Sequence, residues 1–584
     1  MPSAKKQKKK QIQKVKPRQA PERKEARPAT VKRPATEAEK LRFALVVTGG
    51  FLLVAIFGML HHEMWRDEHQ AWLVARDAHS IAGVFQNMKY EGNPALWHLL
   101  LFFITRFTHN PLWMQVLHLV IAGGFIFIFN RYAPIGNLYK VLFSFGYFPL
   151  YEYAIISRSY GLGILLLFIV CAHYRNRLKN YILIGVVMAL LANVTIYMVI
   201  ISLGIAGVMF LDYIFYQVKT KKLSLQLVGG LLIVLAGVIF SLYQIVPSKD
   251  NSFPAHLATK VFDYPRLAYV SSRLFTTYFY IPSFQDIHFW NTNLYLSDNI
   301  TINTPTFSQW LSQNQGYLWG WVYMPILIFI TGVLIFLRKP LMLLLYAGIT
   351  LGLVSVFFYT GLLHYRYCGH LIIALIACYW ISQYYPEKNY QNLLLRGLAS
   401  FGRKITKPFL ILVLGLNVIG AIVAYAIDYN NKFSMSKDTV EYIKQNKLAH
   451  FTMLGTTDFV LSPIASYLDT MIYYPQMNDF GSYCKWNSKR VNDVQFSRIT
   501  ESVASLMSQG RQKILMIQTN PIKISPDGKN YIDLKKAMLK KDIQLEFLTQ
   551  FEGAIQDDEH YHLYLVQRVD STKVDFEKYP LIGQ

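Results

Sequence analysis

Asp67 and Glu68 form an acid pair just after the first long apolar run of the chain, within Trp65-Arg66-Asp67-Glu68-His69-Gln70-Ala71-Trp72. A membrane helix ending there would release these charges into water beside an apolar wall. Carboxylates and imidazoles in that setting take on shifted pKa values suited to proton transfer. Further on, Tyr90-Glu91-Gly92-Asn93-Pro94-Ala95-Leu96-Trp97-His98 is a polar turn that opens a new apolar helix, so carboxylates, aromatics and imidazoles share one compact loop. Two cationic segments follow. Tyr151-Glu152-Tyr153 runs on to Arg158-Ser159-Tyr160-Gly161, and His364-Tyr365-Arg366-Tyr367-Cys368-Gly369-His370 forms a short turn between apolar runs. Arginine stays charged and offers a fixed fork of donors, which suits a lipid phosphate. An acid loop and two cationic turns on one face describe a site that activates a nucleophile and receives a departing phosphate.

Each cluster also has a structural reading. Asp67 to Gln70 matches the Asp-x-x-Gln capping-box pattern in front of an amphipathic helix through about Phe85. Pro94 suits a first helical position, with Trp97 as an interfacial anchor. Glu152 and Arg158 would pair, the arginine snorkelling. Arg76 and Asp77 read as solvated helix-face charges. Tyr278, Tyr280, Phe284, Phe289 and Trp290 serve packing or stack on a sugar, and Asn299-Ile300-Thr301 is a sequon if the host glycosylates such sites.

The elements that must position these residues are membrane helices. Of 584 residues 53% are apolar and only 16% charged, and the mean hydropathy is +0.24, which excludes an ordinary soluble protein. Runs long enough for a hydrocarbon core of about 30 Å, roughly 20 helical residues, recur from Leu41 to Asp428 and then stop. The net charge of +24 does not signal nucleic-acid binding, because residues 1–40 hold 14 Lys or Arg against 4 Glu, a surplus of +10. That segment lacks aromatic residues and contains Pro17, Pro21, Pro28 and Pro34, so it reads as a disordered, topogenic cytoplasmic tail. It is too long for a signal-peptide n-region and no cleavage pattern follows, so residues 42–60 read as a retained anchor. The four cysteines lack metal or redox spacing; Cys368 and Cys484 share the outer face, which leaves one disulfide open.

Lys and Arg clusters set the topology: the tail, Arg175 to Lys179, Lys219 to Lys222, Arg338-Lys339 and Lys388 to Lys407 lie inside. Helices are predicted near 159–174, 181–194, 196–217, 224–246, 316–337, 341–360, 370–385 and 408–428. Loop 61–95, Glu152 to Arg158, loop 247–315, His364 to His370 and everything after 428 then share the outer face. Between 95 and 151 we prefer spans at 112–130 and 139–153 with 95–108 along the interface; the alternative makes 95–108 a short span and 139–151 re-entrant around Gly146 and Pro149. Residues 429–584 alternate strand and helix patterns: Phe451 to Gly455, Thr470 to Tyr474, a helix near 496–509, Lys513 to Gln518, a helix near 532–540, Ile543 to Phe551 and Tyr561 to Gln567. This reads as one α/β domain. It has no P-loop, dinucleotide fingerprint or metal-ligand array, so interaction or substrate guiding is expected of it rather than separate catalysis.

These motifs resemble the GT-C superfamily of integral-membrane glycosyltransferases, especially the branch of protein O-mannosyltransferases, lipid A aminoarabinose transferases and bacterial RgtA/B/C/D-like enzymes. The family's acid pair after the first helix is matched by Asp67-Glu68. Its His-Pro-Pro-Leu-Tyr-like helix opening is matched by Gly92-Asn93-Pro94-Ala95-Leu96-Trp97, with Asn93 in place of the histidine and Ala95 in place of the second proline. Arg158-Ser159-Tyr160-Gly161-Leu162 is similar to an Arg-x-Tyr-x-Leu pattern, and Arg366-Tyr367 to a late Arg-Tyr turn. The resemblance covers chiefly the first third of the chain and does not reach the C-terminal domain.

The resemblance implies a GT-C-like, all-α polytopic membrane domain of about 11–13 transmembrane helices over 41–428, followed by a soluble α/β domain. It implies inverting transfer of one sugar from a polyprenyl-phosphate donor to a hydroxyl of a glycan, lipid or protein acceptor at the outer face of a bacterial plasma membrane. Asp67 would be the general base, and Glu68 would position the acceptor or tune Asp67. Arg158, Arg366 and His364 would stabilise the departing phosphate, with His69, Glu91, His98, Glu152, Tyr160, Tyr367 and His370 lining the substrates. No cofactor is firmly implied, and a divalent metal stays open but disfavoured: related oligosaccharyltransferases use one, but protein O-mannosyltransferase-like enzymes generally do not, and no clear Asp-x-Asp motif lies in the outer loops. The rival reading is a non-enzymatic transporter or assembly scaffold for lipid-linked glycans. Transport would place ionisable residues along a path inside helices. If Asp67, Arg158 and Arg366 did not converge on one outer cavity, the transferase reading would fail.

Overall fold

The computed structural model describes residues 35–217, 224–252, 263–296, 319–492, 494–519, 538 and 542–569. Most of the expected basic tail, the sequon at Asn299 and most of the helix expected near 532–540 lie outside these residues. Among the described residues, seven helices are long and apolar enough to cross a membrane: Glu37–His61, Leu112–Tyr132, Ile196–Phe215, Leu225–Ile245, Trp319–Phe336, Pro340–Thr360 and Leu393–Asn430. Shorter apolar helices, Tyr160–Tyr174 and His370–Ser382, pack among them. The protein is a polytopic membrane protein with a C-terminal α/β domain.

The first helix begins earlier than expected because Thr36 and Glu39 build a capping box. Thr36 Oγ accepts the Glu39 N–H at 3.2 Å, and the Glu39 carboxylate accepts the Thr36 N–H at 2.6 Å. The last helix also starts early, at Leu393 instead of 408, and continues through Pro408 for 38 residues. Several basic side chains of the described residues are held by polar partners near helix ends. Arg131 pairs with Glu37 at 2.7 Å, Lys140 donates to the Asn130 carbonyl at 2.7 Å, and Arg338 pairs with Glu387 at 2.9 Å.

Residues 95–151 follow the preferred topology with one change. The ten-residue helix Leu96–Thr105 keeps both ends on the side of Asp67: the Ala95 N–H donates to Gln244 Oε1 at 2.9 Å, and Arg106 donates to the Arg76 carbonyl at 2.7 Å. It therefore does not cross. The return strand of the topology, expected as a helix over 139–153, is broken. Helix Asn137–Ser144 starts beside Lys140, and a π-helical turn Tyr147–Glu152 completes the passage. Gly146 and Pro149 stand in the break, where proline removes a backbone donor.

Residues 263–296, expected as part of an outer loop, are built into the bundle instead. Asp263 caps helix Tyr264–Tyr278 by accepting the Arg266 N–H at 3.2 Å. The helix descends until the Tyr278 carbonyl accepts from Asn417 at 2.9 Å, and the rings of Tyr278 and Phe279 meet Phe409. The chain then turns back to place Trp290 against Trp65, ring centroids 4.7 Å apart. This excursion is too short and too polar to read as a span, and its burial depends on the helices around it.

Among the described residues, the C-terminal domain carries a six-stranded sheet: β1 (Thr452–Gly455), β2 (Ile472–Tyr474), β3 (Asp479–Gly481), β4 (Lys513–Gln518), β5 (Ile543–Phe551) and β6 (Tyr561–Arg568), in the order β3-β2-β1-β4-β6-β5. β1 is parallel to both β2 and β4, and the other pairings are antiparallel. The short edge strand β3 and the helices Ser436–Gln445 and Ser462–Tyr467 were not legible in the sequence. One hydrophobic core runs from the bundle into this domain, joining Trp72, Val84 and Phe433 with Leu461, Ile464 and Leu563.

Candidate functional site

Helix Arg66–Arg76 carries the acid pair, but not with the expected cap. Trp65 is the N-cap residue, and Glu68 supplies the reciprocal carboxylate, accepting the Trp65 N–H at 3.1 Å. Asp67 is therefore one residue inside the helix and free of capping duty. The helix ends at Arg76 instead of reaching Phe85, and helix Ile81–Asn87 is separate. Adjacent helical residues point about 100° apart, so Asp67 and Glu68 face different surroundings.

Asp67 faces two arginines from distant segments. Its Oδ2 lies 3.3 Å from Arg366 Nη2 and 3.7 Å from Arg158 Nη2, and Arg158 Nη1 also donates to the Asp67 carbonyl. Arg158 pairs here, not with Glu152. Side-chain exposures of 28%, 17% and 9% for Asp67, Arg158 and Arg366 leave the cluster sheltered but reachable. Burial pushes the Asp67 carboxyl upward, yet Arg158, Arg366 and Arg66 outweigh it and hold the group below the usual carboxylate range.

Arg366 is fixed on several sides. Its guanidinium lies over the rings of Tyr367, Trp65 and Trp290, 4.9, 5.0 and 5.3 Å from their centroids, and donates to the Tyr367 hydroxyl at 3.0 Å. Its carbonyl accepts the Tyr153 hydroxyl at 2.9 Å. Gly361, at a φ of 69°, ends helix Pro340–Thr360 in the left-handed region and starts the turn that delivers His364 and Arg366. A cavity of about 660 Å³ adjoins the cluster through Trp290 and His364 and is lined also by Asn291, Arg273, His288 and Asp557; Asp67, Arg158 and Arg366 are not among its lining residues, and its volume suits a small-molecule site.

The other candidates divide by position. His364 lies within electrostatic reach of Asp67, as do Glu91 and Tyr160. His98, in the Leu96–Thr105 helix, is buried within reach of Arg158. Tyr367 holds Arg366 directly, and His370 stands behind it, packed on Tyr153, Tyr160 and Tyr197. Glu152 is buried one layer back, accepting from Tyr147 at 2.8 Å and from Trp290 Nε1 at 3.1 Å. Two candidates turn away. Glu68 accepts the Ser157 N–H at 2.6 Å and faces His62, which bonds Asp428 at 2.9 Å. His69 is fully buried against Tyr467, and burial keeps it neutral, with its pKa down at about 3.

Sequence reasoning missed the aromatic enclosure of Arg366; Trp65 beside the acid pair was its one visible sign. Arg76 and Asp77 are not solvated charges: Arg76 is buried and bridges Asp77 at 2.7 Å and Asp469 at 2.9 Å. All four cysteines are free and buried, so Cys368 and Cys484 form no disulfide. Tyr278, Tyr280 and Phe289 are fully buried packing residues. Among the described residues, no group of three or more His, Cys, Asp or Glu comes together as a metal site.

The C-terminal domain closes over the start of this helix. The Arg66 N–H donates to Glu559 Oε1 at 2.8 Å, its guanidinium pairs with Asp558, and Ser462 Oγ donates to its carbonyl at 3.1 Å. Burial pushes the Glu559 carboxyl up to about 8 from an ordinary 4.5, against the pull of Arg66. A carboxyl raised in the folded state binds more protons than in the unfolded chain between these values, so stability falls as pH rises through that window. Thermal unfolding in detergent is expected to show the wild-type midpoint declining from pH 5 to pH 8 and a shallower decline for Glu559→Gln; equal slopes would contradict this assignment.

No family model matches the sequence, and no curated protein matches it. Among solved structures, the fold is similar to ArnT from Cupriavidus metallidurans bound to undecaprenyl phosphate, at 12% identity and a TM-score of 0.43, covering 89% of this chain and 97% of that one. The apo state of the same protein gives 11% identity and a TM-score of 0.43 over the same shares.

Proposed function

We propose that the protein is a GT-C-type membrane glycosyltransferase. It moves one sugar, with inversion, from a polyprenyl-phosphate donor to an acceptor hydroxyl at the extracytoplasmic face of a bacterial plasma membrane, with its N-terminus cytoplasmic. The observation that carries this reading is the convergence of Asp67, Arg158 and Arg366 from three separate segments, with Arg366 stacked on Trp290, which also lines an adjoining cavity. Ionisable groups lining a path through the bundle would have favoured transport.

In the reaction the acceptor oxygen forms a bond to the anomeric carbon as the carbon–oxygen bond to the donor phosphate breaks. The electron pair of that bond leaves with the polyprenyl phosphate. Arg366, held by its aromatic enclosure, and Arg158 neutralise the departing charge without reorganising, the contribution that electrostatic preorganisation makes. Asp67 takes the hydroxyl proton. Its two arginines make it a weak base at rest, and a donor phosphate that engages them would free the carboxylate and raise its basicity. Donor binding thus readies the base.

The test is a null strain analysed for both its glycans and its lipid-linked sugars. Loss of a glycan together with accumulation of its polyprenyl-linked precursor, both reversed by the wild-type gene, supports transfer. Unchanged glycan and precursor pools would sink the reading.

A further inference from the structure

The helix bearing Asp67 is tied to the C-terminal domain near its start, middle and end: at Arg66, at Gln70, and at Arg76, which pairs with Asp469 at 2.9 Å. The middle tie differs from the others. Gln70 Nε2 donates to the Cys484 carbonyl at 2.9 Å while its Oε1 accepts the Cys484 N–H at 3.1 Å. The second hydrogen of the same amide goes to Glu91 Oε1 at 2.8 Å. Two acceptors facing the nitrogen and one donor facing the oxygen leave a single workable amide orientation. Reversed, the amide would set its oxygen against a carboxylate and a carbonyl.

Glu91 is the site's second carboxylate. It comes from the loop after helix Ile81–Asn87, within electrostatic reach of Asp67 and Arg158, and its other oxygen forms no hydrogen bond among the described residues. Among the described residues it forms no ion pair with an arginine, whereas Asp67 is committed to two. A half-buried carboxylate with one oxygen held and the other open is suited to accept a hydroxyl's hydrogen bond.

We propose that Gln70 is a positioning residue through which the C-terminal domain sets Glu91 to hold the acceptor hydroxyl beside Asp67. This rests on the transferase reading above. It makes the C-terminal domain part of the transfer site instead of a separate module: the Cys484 backbone fixes Gln70, and Gln70 fixes Glu91. The groups facing Glu91 are Asp67 and Gln70 on one helix, Arg158 on the first cationic segment, and Tyr483 and Cys484 on the C-terminal domain. Burial raises the Glu91 carboxyl, and the Gln70 bond and Arg158 lower it. Loss of the Gln70 bond therefore moves Glu91 further up.

The experiment compares full-length wild type, Gln70→Leu, Glu91→Gln, the Gln70→Leu/Glu91→Gln double variant and Asp469→Ala in membranes of the complemented null strain, measuring glycan product against pH. Binding of undecaprenyl monophosphate to each purified variant is measured alongside. Gln70→Leu is expected to lose product by about tenfold or more, the scale of a misplaced substrate group. Its acidic limb is expected at higher pH than wild type, with undecaprenyl monophosphate binding within about twofold, since the donor side is untouched. Glu91→Gln should lose product comparably, and the double variant should fall no further than the worse single one. Asp469→Ala cuts a tie of the same helix to the same domain and should keep the wild-type limb. A Gln70→Leu protein with wild-type rate and limb, or one whose undecaprenyl monophosphate binding collapses together with its product, overturns the proposal. Neither result touches the transferase reading, which is tested by the null strain and by Asp67→Asn.

Discussion

Asp67→Asn is expected to remove at least about 100-fold of glycan product at equal protein level, the range a positioned general base contributes. Asparagine keeps the size and shape of the side chain, and because Trp65 and Glu68 cap the helix, the substitution leaves the helix start intact. Only the proton-accepting charge and the two arginine pairs are lost. The same variant carries a second expectation of opposite sign. With its carboxylate gone, Arg158 and Arg366 face no competing anion, so undecaprenyl monophosphate should bind more tightly than to wild type. A protein that binds the carrier better yet transfers nothing would be hard to explain by misfolding. Full product from Asp67→Asn would return Asp67 to a structural ion pair and leave the transporter or scaffold reading in front.

Arg366→Lys is the second large effect. Lysine keeps the charge but cannot lie flat among Trp65, Trp290 and Tyr367, nor reach Asp67 and the Tyr367 hydroxyl from one planar group. Product is expected to fall by about 100- to 1000-fold, the cost of removing a preorganised donor from developing negative charge. Arg158→Lys should lose less, because Arg158 lies further from the carboxylate, at 3.7 Å against 3.3 Å, and lacks the aromatic enclosure. The two are read as initial rates in membranes with undecaprenyl monophosphate affinity measured in parallel. Arg366→Lys within twofold of wild type on both would mean that charge alone suffices and that the enclosure serves packing.

Charge placed where apolar runs end was readable without coordinates. Asp67, Arg158 and Arg366 each interrupt or follow a hydrophobic stretch, and the cost of burying charge in hydrocarbon makes such positions stand out in any sequence. The same reasoning found the long spans and most strands of the C-terminal sheet, since a 20-residue apolar run and a short alternating run each have few structural solutions. Partnership was another matter. Glu152 lies six positions before Arg158 and was its expected partner, yet the broken passage over Tyr147–Glu152 turns Glu152 toward Tyr147 and Trp290. Glu68 looks equivalent to Asp67 in one dimension, but one step around a helix points it to Ser157 and His62.

Gln70 shows the same division at its sharpest. As a letter three places after an acid it read as half of a cap; in space its amide joins Cys484 to Glu91 across 414 and 21 positions of chain. The sequence by itself determined that this is a polytopic membrane protein, where its charges emerge and which of them stand ready for chemistry, because hydrophobic run length and charge cost act locally along the chain. Only the tertiary structure decided which carboxylate meets the arginines, that residues 263–296 enter the bundle, and that the C-terminal domain holds the helix of Asp67. Those outcomes depend on the direction of side chains about a helix axis and on contacts between segments hundreds of residues apart, neither of which composition or periodicity encodes.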